Sequence, residues 1–263
     1  MNLGDAVGLF VFRSKIRLLR AMEFRFEFIG SLAISLLFSF AAPLFQYLIY
    51  TRTNGYPGWS FSQIMLFQAV LLLWTGLAKT LFGEVKNSTS LIIQLGLFDR
   101  ILINPASPLV MILTHGFCYQ GLGTFVAGII ALVYCIIKFG IIISCWQVIM
   151  FLVFLFSGIA LHLSIIIFYC AISLRFVYIL RLSDILDRIA DFGQFPAEIF
   201  SGIFRFFYLT IIPIGIWIYY PSQVLLGRLN LFAFSSLFVI VVLFAGSTFL
   251  WNFELKKYSS AGG

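Results

Sequence analysis

Charged residues are scarce in this chain: only 10% of its 263 residues are Asp, Glu, Lys or Arg, whereas 62% are hydrophobic and 18% are aromatic. A soluble domain carries about 25% charged and about 45–50% apolar residues, and a water-soluble core of this size cannot hide so much apolar surface. The same numbers exclude a disordered chain, which needs low hydrophobicity and high charge. The composition therefore predicts an integral membrane protein.

The sequence also lacks the motifs of common catalytic and nucleotide sites. It contains no GxxxxGK[ST] phosphate loop, no HExxH, no GxSxG and no glycine-rich dinucleotide turn. Its four cysteines form no CxxC pair, which disfavours a zinc site or a disulfide framework. His115 and His162 stand alone in separate apolar runs. We therefore expect no enzyme activity, no metal and no cofactor bound by this chain. A net charge of +7 marks the cytoplasmic edges of a membrane protein rather than a nucleic-acid partner.

Charge-free intervals indicate where the chain crosses the membrane. A spanning helix needs about 20 residues, and each interval has room for one helix but not for two helices and a turn. Strand-like alternation is absent, which disfavours a β-barrel. The sequence thus predicts an all-α integral membrane fold, a single domain over residues 1–263 with six transmembrane helices. The six intervals are Phe28–Thr51, Thr53–Ala78, Ile101–Ile137, Phe139–Leu174, Phe206–Gly227 and Leu229–Phe253.

Residues 1–25 precede the first long apolar run and show no signal-peptide pattern. Five basic residues alternate there with leucine, valine and phenylalanine, which is typical of a helix lying in the membrane surface. The alternative is a simple basic flank of the first span. The interleaved basic residues are Arg13, Lys15, Arg17, Arg20 and Arg25.

The distribution of Lys and Arg predicts the orientation, because cytoplasmic loops are enriched in both. One side holds the five basic residues of the N-terminus together with Lys79, Lys86, Arg100, Lys256 and Lys257. The other side holds only Arg52, Lys138 and Arg228, while Arg175, Arg181, Arg188 and Arg205 lie in or beside a charged segment and are assigned to neither side. Both termini are therefore expected to face the cytoplasm.

The polar connection between the second and third spans contains an apolar, amphipathic stretch over residues 91–103, ended by Asn104-Pro105. We expect a short helix there, either lying on the membrane surface or docked on a cytoplasmic protein. Leu95, Phe98 and Leu102 are spaced i, i+3 and i+7, so they should share one face. Asp99 and Arg100 flank that face.

A second unusual segment, residues 176–205, carries a charged stripe in an otherwise apolar region. Two placements are open: a solvated cytoplasmic helix, which hydropathy favours, or a membrane-embedded helix whose charges line an aqueous path. Glycine and proline end the run at Gly193 and Pro196. The stripe, at helical spacing on one face, consists of Arg181, Asp184, Asp187, Arg188 and Asp191.

Residues 201–227 are aromatic and interrupted by Pro213, Gly215 and Pro221. Broken backbone at membrane depth survives only where protein or a cavity surrounds it, which suggests a re-entrant segment. An aromatic belt at the membrane interface is the alternative.

Two patches resemble the permease subunits of type-2 ABC transporters, which are mainly exporters. The first is LGLFDRILINPASP at residues 95–108, where Gly96, Asp99, Leu102 and Pro105 stand as in that pattern. The second is FPAEIFSGIFRFF at residues 195–207, continued by IPIG at 212–215 and YPSQVLLG at 220–227. Ile203 stands where that pattern usually has tryptophan.

The resemblance implies an interfacial helix at the start, six spans, and a coupling helix that contacts separate ATPase subunits. On this view Leu95, Gly96, Phe98, Asp99, Arg100, Leu102 and Pro105 form the coupling site. ATP and Mg would be bound by the ATPase partner, and two permease chains would pair within the lipid bilayer. Re-entrant helices after the fifth span would move residues 176–195 into the membrane.

We therefore interpret the sequence as a permease subunit of an ABC exporter in a bacterial cytoplasmic membrane. An integral membrane scaffold that transports nothing is the rival interpretation. A lipid-modifying enzyme is a weaker third, because the spans contain no clustered His, Asp or Glu. Small residues of the third span predict close helix approach, some of it within the chain and some toward a second chain. They are Gly116, Gly121, Gly123, Ala127 and Gly128.

Overall fold

The structure is a computed structural model that describes residues 3–53, 55–176 and 180–259. Within these ranges the chain is helical and contains no strand. The α-helices are α1 (Leu3–Glu23), α2 (Arg25–Ser39), α3 (Ala41–Arg52), α4 (Phe61–Phe82), α5 (Val85–Gln94), α6 (Phe98–Leu102), α7 (Pro108–Leu113), α8 (Gln120–Lys138), α9 (Cys145–Arg175), α10 (Leu180–Asp191), α11 (Gly202–Phe206), α12 (Tyr219–Leu225) and α13 (Phe232–Lys256).

Five helical runs in the described ranges are long and apolar enough to cross a membrane. The all-α membrane fold predicted from composition is thereby confirmed. Two runs join neighbouring helices, α2 with α3 and α4 with α5, whereas α8, α9 and α13 each form a run alone. The expected helix at the start of the chain is present as α1.

Local sequence sets where two of these helices begin. Ser60 and Ser144 each cap a helix, because the serine hydroxyl accepts a hydrogen bond from the backbone N–H three residues later. In turn, the side-chain oxygen of Gln63 or Gln147 accepts a hydrogen bond from the backbone N–H of the capping serine. Each pair forms a capping box, which satisfies backbone donors that helix ends otherwise leave unpaired. The predicted intervals beginning at Thr53 and Phe139 therefore become helical only at Phe61 and Cys145.

Helix α4 lies at the centre of the bundle, and α8 packs against it along a row of glycines. A Cβ on Gly76 or Gly128 would overlap the backbone of the other helix, and a Cβ on Gly121 would lie 2.5 Å from the Thr80 nitrogen. Small residues of the third span thus serve helix packing inside this chain, where close approach maximises van der Waals contact. Ala127 is also buried.

The predicted span Phe206–Gly227 is wrong as a continuous helix. The chain there forms α11, a π-helical turn at Phe207–Ile211, a 3₁₀ turn at Ile214–Ile216 and then α12. Pro213 explains the interruption, because proline lacks an N–H donor and its ring clashes with the preceding turn.

Contacts at both chain ends show that the bundle is crossed an even number of times. Arg13 donates a hydrogen bond of 2.9 Å to Thr114, beside α7, and the Tyr258 ring lies 4.9 Å from Phe98 of α6. Both described ends therefore lie at the C-terminal end of α4. Five long helices alone would leave them at opposite ends, so another segment must also run the length of the bundle.

The charged segment after α9 makes this sixth passage. Asp187 pairs with Lys86, just beyond the C-terminal end of α4, whereas Glu198 accepts a hydrogen bond of 2.7 Å from Trp59, just before its N-terminal end. The chain between them consists of the last turn of α10 and two 3₁₀ turns, Phe192–Gln194 and Ala197–Ile199. Residues 177–179 of the predicted segment 176–205 lie outside the described ranges.

After this passage the chain enters the bundle again and leaves at the same end. Trp217 reaches Trp74 in the middle of α4 and donates a hydrogen bond of 3.1 Å to the Gly158 carbonyl. The Val224 carbonyl then accepts from Gln147 at the start of α9, and Arg228 donates to the Gly58 carbonyl. Residues 201–227 thus have the form of a re-entrant hairpin.

Candidate functional site

Two adjoining cavities, together called the cleft below, open beside α4. Their volumes are about 680 Å³ and 290 Å³, and Leu71, Thr75, Lys79 and Gln194 line both. Thr75 and Lys79 are exposed on a helix whose other faces are largely buried. The cleft is therefore a polar-lined space against the central helix of the bundle.

Hydroxyl groups form one wall of the larger cavity. Ser35 donates a hydrogen bond of 2.8 Å to the Gln120 carbonyl and lies 3.0 Å from the Thr124 hydroxyl. Ser39 donates to the same threonine at 3.2 Å. These bonds hold α2 against α8, as polar side chains do between helices in lipid.

Aromatic rings close the smaller cavity at the tip of the re-entrant hairpin. Trp74 and Trp217 stack with centroids 5.8 Å apart, and His162 meets both rings edge-on. Gly158 provides the space, since a Cβ there would lie 3.2 Å from each indole. The alternative prediction of an aromatic belt at the membrane interface included Trp217, which is instead buried inside the bundle, and Trp74 was not predicted to have a role.

The predicted charged stripe is only partly gathered at the cleft. Asp187 and Asp191 line the smaller cavity together with Lys79 and Lys86. Asp187 pairs with Lys86, while Asp191 lies 3.8 Å from Arg188 and accepts from Gln194 at 2.9 Å. Arg181, Asp184 and Arg188 do not line either cavity.

A group of contacts around the Glu198 carboxylate, called the Glu198 knot below, holds the re-entrant hairpin at the N-terminal end of α4 and was not predicted from the sequence. Glu198 accepts hydrogen bonds from Trp59 at 2.7 Å and from the Tyr219 hydroxyl at 2.6 Å, and Arg205 lies 3.9 Å away. Three separate parts of the chain meet at this one side chain. The sequence offered a signal in Glu198 itself, an acid within an apolar patch.

The prediction of one helix over residues 91–103 is wrong. Helix α5 ends at Gln94, and α6 begins at Phe98. Gly96 has φ +67°, and the N–H groups of Gly96 and Leu97 bond to the carbonyls of Ile93 and Ile92. This is the Schellman ending, in which glycine adopts the left-handed conformation that other residues resist.

The break turns Phe98 inward. Its side chain is 0% exposed, packed edge-on against Trp251 and Tyr258. Leu95 and Leu102, in contrast, are 66% and 41% exposed. The predicted shared face of Leu95, Phe98 and Leu102 is therefore wrong, and Phe98 instead joins this loop to the last helix.

The surface left by this loop, the α5–α6 surface, is apolar with a basic margin. Arg100 and Pro105 are exposed, and Asp99 is half-buried. Its exposed apolar side chains are Leu91, Leu95, Leu97, Leu102 and Ile103.

A protein-family model described as ABC-2 family transporter protein matches residues 36–262. The chain belongs to the ABC-2 transporter family. This match begins within the run Arg25–Arg52 and covers the other four long apolar runs, most of the cleft and the α5–α6 surface, so the chain is a multi-pass transmembrane permease of a transport system. Membrane subunits of this family generally lack an ATPase site of their own. No curated protein and no solved structure matches the chain significantly.

In this permease α1 is fastened to the turn between α7 and α8. Arg13 and Arg17 each approach one ring nitrogen of His115 at 3.1 Å, and Arg17 also donates to the carbonyls of His115 and Phe117. A neutral imidazole has one acceptor nitrogen, so it accepts from only one guanidinium at a time. Burial, reinforced by the two arginines, lowers the pKa of His115 to about 4. Burial likewise lowers the pKa of Arg17.

Proposed function

We propose that this permease is the membrane subunit of an ATP-driven ABC exporter, with the cleft as part of its substrate path. The observation that supports this most is continuity. Helices α4 and α5 follow each other in one apolar run from Phe61 to Gln94, interrupted by the turn at Gly83 and Glu84, with Lys79 of the cleft in the last turn of α4 and the α5–α6 surface at the end of the run. Movement applied to that surface would reach the cleft across this one turn.

Separate ATPase subunits would apply that movement. The sequence contains no phosphate loop, so ATP and Mg would be held by the partner. An apolar surface with exposed leucines suits a helix-in-groove contact, in which a few apolar side chains act as anchors. Leu95, Leu102 and Ile103 are the anchors we propose, whereas Phe98 would support the loop from inside and Arg100 would orient the partner as a rim charge.

We place the permease in the inner membrane of a bacterium with both termini cytoplasmic. The excess of Lys and Arg at the N-terminus, in the α5–α6 region and in the tail supports this orientation. The meeting of α1, α6 and Tyr258 at one end of the bundle is consistent with it. Helix α1 would then lie at the inner surface of the membrane, and the Glu198 knot would lie toward the outer surface.

A second permease chain, the same or a similar one, would complete the path. In the run Arg25–Arg52, only 6% of the most apolar stretch is buried within the chain. Residues of this run also border the larger cavity. Residues of the charged stripe that do not line the cleft, Arg181, Asp184 and Arg188, are exposed and would face water or the partner chain.

The test is to co-express the permease with a P-loop ATPase encoded in the adjacent reading frame and to measure co-purification and ATP hydrolysis. Leu95→Ala with Leu102→Ala should leave the permease folded but reduce co-purification at least about tenfold, if these side chains are central anchors. Ile142→Ala is the matched control, because Ile142 is 92% exposed in the loop between α8 and α9.

Phe98→Ala separates folding from docking. Since Phe98 is buried, this variant should lower the thermal stability of the permease, whereas the Leu95 and Leu102 changes should not. Wild-type co-purification and hydrolysis in the double variant would contradict the proposed coupling and would favour a membrane scaffold that transports nothing.

A further inference from the structure

The larger cavity of the cleft has a polar end and an apolar end, and we propose that it binds an amphiphile with a phosphate or carboxylate headgroup. Calling this molecule the exported substrate rests on the proposed function. The binding site itself is argued from the cavity alone.

Helix contacts show which residues lie level with Lys79. Gly121 abuts the backbone of Thr80, next to Lys79, and Ser35 bonds to the carbonyl of Gln120. The start of α8 and the middle of α2 therefore lie beside the last turn of α4. The polar side chains gathered at this end of the cavity are Ser31, Ser35, Lys79 and Gln120.

The opposite end of the cavity is apolar. Leu71 precedes Lys79 by eight residues, which is about 12 Å along a helix, and Leu72 lies beside it. Across the cavity, Ala42 follows Ser35 by seven residues, about 10 Å in the same direction. The hydroxyls of Ser39 and Thr124 between the two ends bond to each other at 3.2 Å. The apolar lining at this end is Ala42, Leu71 and Leu72, with Phe38 between the two ends.

Among the described charged residues that line the cleft, one cation has no acidic partner. Four charged residues line the two cavities: Lys79, Lys86, Asp187 and Asp191. Lys86 pairs with Asp187, and Asp191 has Arg188 and Gln194 as partners. Among the described residues no acid lies within ion-pair distance of Lys79. An anionic group bound there would accept charge-assisted hydrogen bonds from the Lys79 ammonium group, which has no ion-pair partner among the described residues.

The depth of Lys79 fits a headgroup attached to an apolar chain. Lys79 follows Phe61 by eighteen residues, so the two lie about 27 Å apart along α4, close to the hydrocarbon thickness of about 30 Å. Lys79 is thus at headgroup level, and the apolar end of the cavity points toward the membrane centre. A volume of about 680 Å³ falls in the range of about 300–1,000 Å³ that holds one drug-sized ligand.

Binding can be tested on the permease alone, purified in a neutral maltoside detergent. Isothermal titration would compare dihexanoyl phosphatidic acid, dihexanoyl phosphatidylcholine and inorganic phosphate. We expect phosphatidic acid to bind more tightly than both of the others. Lys79→Gln should weaken its binding at least about tenfold, as loss of a charge-assisted bond does, whereas Lys79→Arg should restore it. Lys138→Gln is the control, because Lys138 is a cation at the end of α8 that does not line the cleft.

Three results would overturn the proposal. Lys79→Gln could bind phosphatidic acid as the wild type does, phosphatidylcholine could bind equally well, or inorganic phosphate could match phosphatidic acid, which would make the site one for free anions. Failure of the proposed function looks different. Wild-type ATPase co-purification in the Leu95 and Leu102 double variant, or the absence of any ATPase partner, would contradict the proposed function and leave phosphatidic acid binding to Lys79 unchanged.

Discussion

Trp217 stacks on Trp74 with ring centroids 5.8 Å apart and ring planes 12° from parallel. The two residues lie 143 positions apart in the sequence, one at the tip of the re-entrant hairpin and one in the middle of α4. Because Trp217 also donates a hydrogen bond to the Gly158 carbonyl, this contact joins α4, α9 and the hairpin at one point. The stack therefore fixes how deeply the hairpin enters the bundle.

Filling the space at Gly158 should displace the hairpin. In Gly158→Val the new side chain meets both indoles, since even a Cβ lies 3.2 Å from each, and overpacking costs about 1–3 kcal/mol. We expect a lower unfolding temperature and loss of the circular-dichroism signal that arises from coupled, stacked indoles. Gly246→Val on α13 is the control, because a Cβ there meets nothing within 4 Å. An unchanged indole signal in Gly158→Val would refute the stacked arrangement.

The α4–α8 contact should tolerate no side chain at Gly128. A methyl group there overlaps the backbone of Leu73, which cannot rotate away as a side chain can. Gly128→Ala should reduce the folded yield and lower the unfolding midpoint in detergent by at least the amount seen for Gly158→Val. Gly30→Ala on α2 is the matched control, since its Cβ meets nothing within 4 Å. Equal stability of the two alanine variants would show that these helices do not touch backbone to backbone.

Removal of the Glu198 carboxylate should loosen the far end of the hairpin. Glu198→Ala leaves the Trp59 N–H and the Tyr219 hydroxyl without their acceptor, and unpaired buried donors cost about 1–3 kcal/mol each. Glu198→Gln keeps an acceptor oxygen and should lose less. Thermal unfolding of Glu198→Ala, Tyr219→Phe and the double variant would measure the coupling between them. Strictly additive effects would mean that this hydrogen bond contributes nothing.

Acid should release α1 from the turn that holds it. The pKa of His115 is about 4 when α1 is docked and about 6.5 when the imidazole is free. Between these pH values only the undocked state binds the proton, so docking weakens as the pH falls from about 6.5 toward about 4 and is constant above. The protection factors of the α1 amides, which are corrected for the pH dependence of intrinsic exchange, should therefore fall over this window. His115→Gln, which keeps an acceptor but does not titrate, should abolish the change; if the protection factors still fall, another group is responsible.

The sequence predicts the long helices well because the interior of a bilayer excludes charge. Five of the intervals between charged residues therefore contain all or most of α2–α3, α4, α8, α9 and α13, although the interval Ile101–Ile137 also contains α7 and the turn before α8. It does not predict the passage between Asp187 and Glu198, because the contacts of these side chains with Lys86 and Trp59 join segments that are distant in sequence. Asp187 and Asp191 are exposed, and the placement of residues 176–195 in the membrane stays a prediction of the resemblance to type-2 permeases.

At the α5–α6 surface the error came from one glycine. Helical spacing assigns Leu95, Phe98 and Leu102 to a single face only if the helix is continuous, and the left-handed Gly96 ends it. Lys79, Glu198 and the two tryptophans could not be singled out from spacing. Their significance depends on segments that are distant in sequence and become neighbours only in the folded bundle.

The glycine row between α4 and α8 determines which parts of this permease can move. Helices whose backbones touch have no rotatable side chains between them to absorb a shift, so α4 and α8 are expected to travel as one stiff unit. Helix α2 meets that unit through the hydroxyls of Ser35 and Ser39 and also at Gly123, where a Cβ would lie 2.9 Å from the Leu32 carbonyl. Helix α10 instead contacts α5, which follows α4, through the Lys86–Asp187 pair. An ion pair can break and reform singly, so we expect the movement of a conformational cycle to begin between α10 and α5 rather than between α4 and α8.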